Sequence, residues 1–242
     1  MEEWEFPIVI DQETVKVCQK NLLGGGSTKQ VYDITLNNYH FALALPNTND
    51  DIETLITKWE RVLYEPQTTD YLRNIGFLVN PINKIVPVKI GSVIFPAIIM
   101  ARYQDINFGI LDGRNNHSST VKCNILPKPL NEETFLNFLQ NGIPDLKKLI
   151  KNKIQLEGDS FNVGIVNSLP RVYLGDLGLP RYNFPNWNDE AYAKNYVNYF
   201  VNALKNGMWW KEYEANEIFF EKISHGSYNF RIAKELVDKI LS

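Results

Sequence analysis

Through the first hundred positions, apolar residues come in short alternating runs. Residues 15–22, 31–36 and 39–45 each read as a β-strand. The stretch Leu23-Gly24-Gly25-Gly26-Ser27 separates the first from the second, and Asn37-Asn38 the second from the third. The period then changes. After Asp50-Asp51, which suit a helix cap, Ile52, Leu55, Ile56, Trp59 and Leu63 recur at helical spacing, and Pro66 ends or restarts that helix. Strand-like runs return at 82–90 and 92–100. Beyond Tyr103 the pattern is mostly helical. Residues 105–129 read as loop, 132–139 and 145–150 as helices, 155–166 and 171–174 as strands around a loop, and 180–185 as irregular. Residues 189–204 and 230–241 carry amphipathic helical patterns, the second with Ile232, Leu236, Val237, Ile240 and Leu241 on one face. Strands interrupted by one helix, followed by a helix-rich remainder, predict an α+β chain. Its boundary near Tyr103 divides a strand-rich 1–103 from a helix-rich 104–242.

Composition narrows the chemistry. The 242 residues give enough chain for a sizeable core, with 44% hydrophobic and 22% charged residues. Net charge is -3 and no basic run occurs, so no nucleic-acid footprint is expected and an anionic ligand needs a local site. Cys18 and Cys123 form no metal-binding pair, and two thiols suit a reducing, cytoplasmic setting. The acidic start Met1-Glu2-Glu3-Trp4-Glu5 lacks the apolar core of a secretory signal. The apolar run at 93–100 is too short to span a bilayer, so no membrane insertion is expected. Abundant Asn, Ile, Lys and Tyr suggest an AT-rich genome and a host-associated bacterium. His40, His117 and His225 share no ligand spacing.

Gly24, Gly25 and Gly26 bring the backbone close to whatever lies above them and leave N–H groups free for phosphate oxygens. A strand follows, so this is no P-loop, in which Gly-Lys-Ser/Thr opens a helix. A plain hairpin turn is the other reading.

Gly24-x-Gly26-x-x-Lys29-x-Val31 resembles the protein-kinase glycine loop G-x-G-x-x-G-x-V, with lysine at the third glycine. The next strand, Phe41-Ala42-Leu43-Ala44, is similar to V-A-I-K, with Ala44 where the ATP-gripping lysine belongs. The same pairing occurs in the with-no-lysine kinases, where a glycine-loop lysine reaches the phosphates. The resemblance therefore implies that Lys29 takes that role, and that Glu65 or Glu60, from the following helix, pairs with it. It further implies phosphate contacts from the loop that includes Ser27 and Thr28. The nucleoside would lie against Val31 and Ala42, with Met100 as gatekeeper and backbone groups of Ala101 and Tyr103 facing adenine.

Gly158-Asp159-Ser160-Phe161-Asn162, then a hydrophobic hairpin, then Asp176-Leu177-Gly178 resembles the catalytic loop and Asp-Phe-Gly of the same family. The chemistry needs a carboxylate at the attacking hydroxyl, and an amide with a second carboxylate on magnesium. By this resemblance Asp159 is the base, and Asn162 and Asp176 are the Mg²⁺ ligands. Two departures stand out. Gly158 precedes Asp159 where the family has arginine, as in antibiotic kinases. The Asp159–Asn162 spacing is about two residues shorter than in H-R-D-L-x-x-x-N. Past Leu179 no Ala-Pro-Glu follows.

The expectation is thus a two-lobed kinase-like fold with a strand-rich N-lobe and a reduced helical C-lobe. The chain would be an ATP- and Mg²⁺-dependent phosphotransferase acting on a protein hydroxyl, cytoplasmic or delivered into a host cell as an effector. A pseudokinase module and a small-molecule kinase of the antibiotic-kinase type are the alternatives.

Overall fold

A computed structural model describes residues 5–26, 28–47, 52–90, 92–102, 105, 109–112, 132–156, 160–167, 169–177, 187–209 and 226–242. In chain order the elements are β1 (Glu5–Ile10), β2 (Glu13–Cys18), β3 (Leu22–Gly25), β4 (Lys29–Leu36), β5 (Tyr39–Pro46), α1 (Ile52–Leu63) and α2 (Glu65–Asn74). They continue with β6 (Leu78–Val79), β7 (Asn83–Ile90), β8 (Val93–Met100), β9 (Gly109–Asp112), α3 (Glu132–Lys151), β10 (Phe161–Val166), β11 (Leu169–Leu174), α4 (Asp189–Trp209) and α5 (Gly226–Leu241). The chain is a mixed α+β protein of two compact units. The first comprises Met1–Tyr71, Asn80–Ile106 and Leu177–Leu179; the second comprises Leu72–Val79, Asn107–Asp176 and Pro180–Ser242.

The first unit is built on a seven-stranded antiparallel sheet in the order β2-β1-β7-β8-β5-β4-β3. Val15 and Val17 of β2 share a core with Tyr32 and Ile34 of β4, although several strands separate them in the order, so the sheet curls over that core. Alternation sorts the side chains to its two faces. Leu43, Leu45, Ala97 and Ile99 point into the curl with Ile8, Ile10, Val86 and Val88. Their neighbours Ala42, Ala44, Ile98 and Met100 point the other way, against Trp59 and Val62 of α1. Trp59 fixes that contact by donating from Nε1 to the Pro96 carbonyl at 2.9 Å. Two hairpins close through residue pairs with positive φ, Asp11 (50°) with Gln12 (70°) and Asn37 (52°) with Asn38 (64°). This is the turn whose twist suits paired strands, and Asn tolerates it well.

The second unit carries a four-stranded sheet, β6-β11-β10-β9, parallel between β11 and β6 and antiparallel elsewhere. Helices α3 and α4 pack against it, and α5 packs against α3 and α4. Phe161 of β10 stacks on Tyr196 of α4 at 6.0 Å between ring centroids and meets Phe200 edge-on at 6.5 Å. At Gly142 of α3 a Cβ would stand 2.3 Å from the Phe200 ring, so only glycine allows α3 and α4 their approach. Asp145, one residue past Pro144 in α3, is 2% exposed and ties that helix to β11. It accepts from Arg171 Nε at 2.7 Å and Nη2 at 3.0 Å, from the Val172 N–H at 3.0 Å and from Lys148 at 3.4 Å. Among the described residues, no helix is long and apolar enough to cross a membrane.

Several expected elements differ. The run at 15–22 is two strands, because the chain turns through a short 3-10 segment at Gln19–Asn21. Gly24 and Gly25 belong to β3, paired with Val31 and Gln30, and are not loop. β1 was not anticipated, and β9 lies within the run expected to be loop. The two helices expected at 132–139 and 145–150 are the single α3, which passes through Pro144.

Candidate functional site

Lys29 opens β4, on the far side of a turn from the glycines. The Gly26 N–H donates to the Lys29 carbonyl at 2.9 Å, and Asn47 closes the mouth of the turn, its Nδ2 on the Gly26 carbonyl at 2.9 Å and its N–H on Thr28 O at 3.0 Å. At Gly25 a Cβ would lie 3.0 Å from the Lys29 carbonyl, so the hairpin itself calls for glycine there. At Gly24 and Gly26 a Cβ would meet nothing within 4 Å. The fold makes no demand for glycine at these two positions, and the space above them is open. Ser27 lies outside the described residues.

The strand period places Lys29 and Val31 on one face of β4. Val31 is paired with Ala44 and packs with Ala42 and Met100 on the α1 side of the sheet. Ala44 is fully buried in that cluster, among Trp59, Val62 and Ile98. Lys29 Nζ reaches Glu65 Oε2 at 2.8 Å, with the side chains only 14% and 5% exposed. Of the two glutamates left open by the sequence, Glu65 meets the lysine and Glu60 is exposed. The chain breaks its helix at Tyr64 and restarts with Glu65 and Pro66 in the first turn of α2. Proline fits a first turn, where its missing N–H has no partner to lose.

Two further residues complete this cluster, and nothing in their sequence context marks them. Asn83 of β7 donates from Nδ2 to Glu65 Oε1 at 3.3 Å and to Thr69 Oγ1 at 3.1 Å, while Thr69 donates to the Glu65 carbonyl at 2.8 Å. Asn83 Oδ1 is buried and has no hydrogen-bond partner.

Met100 is buried and paired with Ala42 and Asn83. Ala101, expected to face adenine, has both backbone groups engaged: its N–H meets Ile82 O and Asn80 Oδ1, each at 3.1 Å, and its carbonyl accepts from Asn80 Nδ2 at 2.9 Å. One carbonyl lone pair remains for a ligand. Next to it, Arg102 binds Asp33 at 2.9 Å and Asp105 at 2.6 Å. The hydrogen bond Arg102 donates to Asp105, with the nearby Asp33 charge, raises the guanidinium's already high pKa. Tyr103 lies outside the described residues.

In the second unit, Asn162 is 7% exposed on β10, paired with Tyr173 and Asp112. The same end of the hairpin is closed by Ser160, whose carbonyl accepts from the Gly175 N–H at 3.1 Å and whose Oγ donates to the Asp176 carbonyl at 2.9 Å. Asp176 is exposed and has a φ of 52°, which is uncommon for a residue with a side chain. Asn162 and Asp176 thus stand at one end of one hairpin. An amide oxygen and a carboxylate are hard donors of the kind magnesium takes, and magnesium completes its shell with water and phosphate. Asp159 and Gly178 lie outside the described residues. No protein-family model and no characterised protein matches the chain.

Proposed function

We propose that this chain is an ATP- and Mg²⁺-dependent phosphotransferase with a two-lobed, protein-kinase-like fold, acting on a protein hydroxyl. One observation carries the reading: the Lys29–Glu65 ion pair at 2.8 Å, formed by residues 36 positions apart. The lysine comes from the glycine hairpin and the glutamate from the helical segment that follows the Ala44 strand. Those are the two places the resemblance assigns to the phosphate-gripping pair when the strand lysine is absent. The order of the parts supports it as well: glycine hairpin, Ala44 strand, helix, strand ending at Met100, then the β10–β11 hairpin flanked by Asn162 and Asp176.

In this reading the ammonium of Lys29, held by Glu65, neutralises phosphate oxygens, and the N–H groups around Gly24 and Gly26 approach them without a side chain in the way. Asp159 orients the acceptor hydroxyl and takes its proton. Asn162 and Asp176 would hold Mg²⁺, which when bound neutralises charge on the phosphates. Lys29 and Glu65 belong to the first unit, and Asn162 and Asp176 to the second.

Saturating Mg·ATP is expected to raise the melting temperature by mass action. Lys29→Ala and Asp176→Ala should each diminish that rise. Labelled ATP in a host-cell lysate should label protein with the wild type and not with Asp159→Ala. No thermal shift together with no heat of nucleotide binding would sink the proposal. A second reading, a binding module without transfer, is favoured by Ala44, fully buried where the strand lysine would stand. It predicts nucleotide binding without labelling.

A further inference from the structure

The Glu65 carboxylate is buried, and a buried carboxylate must have its oxygens bonded. Lys29 serves Oε2, and Asn83 serves Oε1. The Asn83 amide is used one-sidedly. Its Nδ2 donates to Glu65 and to Thr69, whereas Oδ1 is buried without a partner. Turning the amide over would set its oxygen against the Glu65 carboxylate and give up both bonds, so the orientation is fixed. A buried acceptor left unbonded costs free energy. The position therefore calls for two N–H donors and does without an acceptor. An apolar residue would avoid that cost but would leave Glu65 Oε1 bare.

We propose that Asn83, braced by Thr69, is a positioning residue. It fixes the Glu65 carboxylate so that Oε2 faces Lys29 and the ammonium is aimed at the phosphates. The coupling of Asn83 to Lys29 stands on geometry alone; its effect on catalysis rests on the phosphotransferase reading above. Asn83 comes from β7, Lys29 from β4 and Glu65 from α2, and a continuous chain of bonds joins Asn83 to Lys29 through the Glu65 carboxylate. The charged groups facing position 83 along that chain are Glu65 and, beyond it, Lys29. Thr69 is neutral.

The aspartate variant supplies a signature that a merely structural role would not produce. In Asn83→Asp a second carboxyl group faces Glu65, and two carboxylates so close cannot both ionise easily, so one pKa of the pair rises. While the new group is protonated, its O–H donates to Glu65 as Asn83 did. Once it ionises, it repels Glu65 and competes for Lys29. Activity in this variant should therefore be highest at low pH and fall as pH rises through the raised pKa, a limb absent from the wild type.

The test has two arms. In the first, without nucleotide, a mild anhydride acylates lysines and mass spectrometry follows Lys29. Lys29 should react several-fold faster in Asn83→Leu and Thr69→Val than in the wild type or in the control Asn141→Asp, at an exposed position of α3. Equal rates in all of these proteins overturn the proposal. In the second arm, phosphoryl transfer is followed from about pH 6 to 9. Asn83→Leu should lose on the order of 10-fold in kcat, as is typical when a partner behind a functional group is removed. Asn83→Asp should show the falling limb. An Asn83→Asp profile that overlays the wild type also overturns the proposal. If the wild type neither binds nor uses Mg·ATP while the first arm separates the variants, the phosphotransferase reading falls and the Asn83–Lys29 coupling is what remains standing.

Discussion

Among the described residues each unit buries one ion-paired carboxylate, Glu65 in the first and Asp145 in the second, and the two are held differently. Asp145 in the second unit receives four donors: two from Arg171, one from Lys148 and the backbone N–H of Val172. Its cations are also committed elsewhere, since Arg171 and Lys148 both donate to the Gly76 carbonyl, at 3.1 Å and 3.0 Å. Glu65 in the first unit receives Lys29 and Asn83, and the oxygen of that Asn83 amide is buried without a partner. The first arrangement spends its charge on joining a helix to a strand. The second joins the start of β4, next to the glycine hairpin, to the first turn of α2 through two side-chain donors. Burial and ion pairing alone do not separate the two; the number and kind of donors on each carboxylate do.

The largest expected effect falls on the saturated pair. Asp145→Ala leaves two cations and a backbone N–H without their acceptor. It should destabilise the protein by about 3–5 kcal/mol, the usual cost of breaking a buried ion pair. Chemical denaturation measures this, and a loss below about 1 kcal/mol would contradict the structural role. Lys29→Ala should reverse the emphasis, reducing phosphoryl transfer on the order of 10²-fold or more with a smaller stability loss. Wild-type transfer rates in Lys29→Ala would break the comparison. Adding Ala44→Lys to that variant should not restore activity. Position 44 is closed in by Trp59, Val62, Ile98 and Met100, and overpacking there costs about 1–3 kcal/mol.

The comparison sharpens at Tyr196, another bonded group of the second unit. Its hydroxyl donates to the Ile154 carbonyl and accepts from the Leu156 N–H at 3.3 Å. Burial, the largest cause, pushes the phenol pKa up, and nearby Tyr192 and Tyr199 add to this. A group whose folded pKa exceeds its unfolded value lends stability that is complete below the unfolded pKa and is lost as pH rises toward the folded one. Stability should therefore fall above about pH 10, the ordinary tyrosine value, and Tyr196→Phe should flatten part of that fall. At neutral pH the same substitution should cost about 1–3 kcal/mol for the backbone groups left unbonded. Gly24→Ala and Gly26→Ala carry the smallest stability effect, within about 0.5 kcal/mol, yet they should weaken Mg·ATP binding measured by calorimetry. Unchanged affinity in both would remove the phosphate role from that hairpin.

Much of the first unit was legible because its strands obey a period of two. The alternation in 39–45 and 92–100 is the division between the curled core and the α1 face. β1 was harder, since Glu5–Ile10 holds a proline and only a short alternation before Asp11 turns the chain. The helical pattern reads as two pieces, 132–139 and 145–150, whereas α3 runs unbroken through Gly142 and Pro144, with Leu139, Leu146 and Leu149 buried along it. At the candidate site, Lys29 stood out by motif, but the choice between Glu60 and Glu65 needed coordinates: the helix restarts at Glu65, and helical periodicity carried from α1 does not extend to it. Asn83 and Asn80 carried no signal, because one asparagine among many in this chain looks like any other until its amide is seen bonded.

The restart at Glu65 has one more consequence. A single unbroken helix would have put this carboxylate mid-helix, far from either end. In the first turn of α2 it sits instead at the amino end of a helix of 10 residues. Aligned peptide dipoles give such an end about half a positive elementary charge, felt mainly within that turn. In the phosphotransferase reading, Glu65 would keep this favourable electrostatic company while Lys29 is shared with an anion, and the lysine would be freer to lean toward a ligand than a carboxylate relying on it alone would allow.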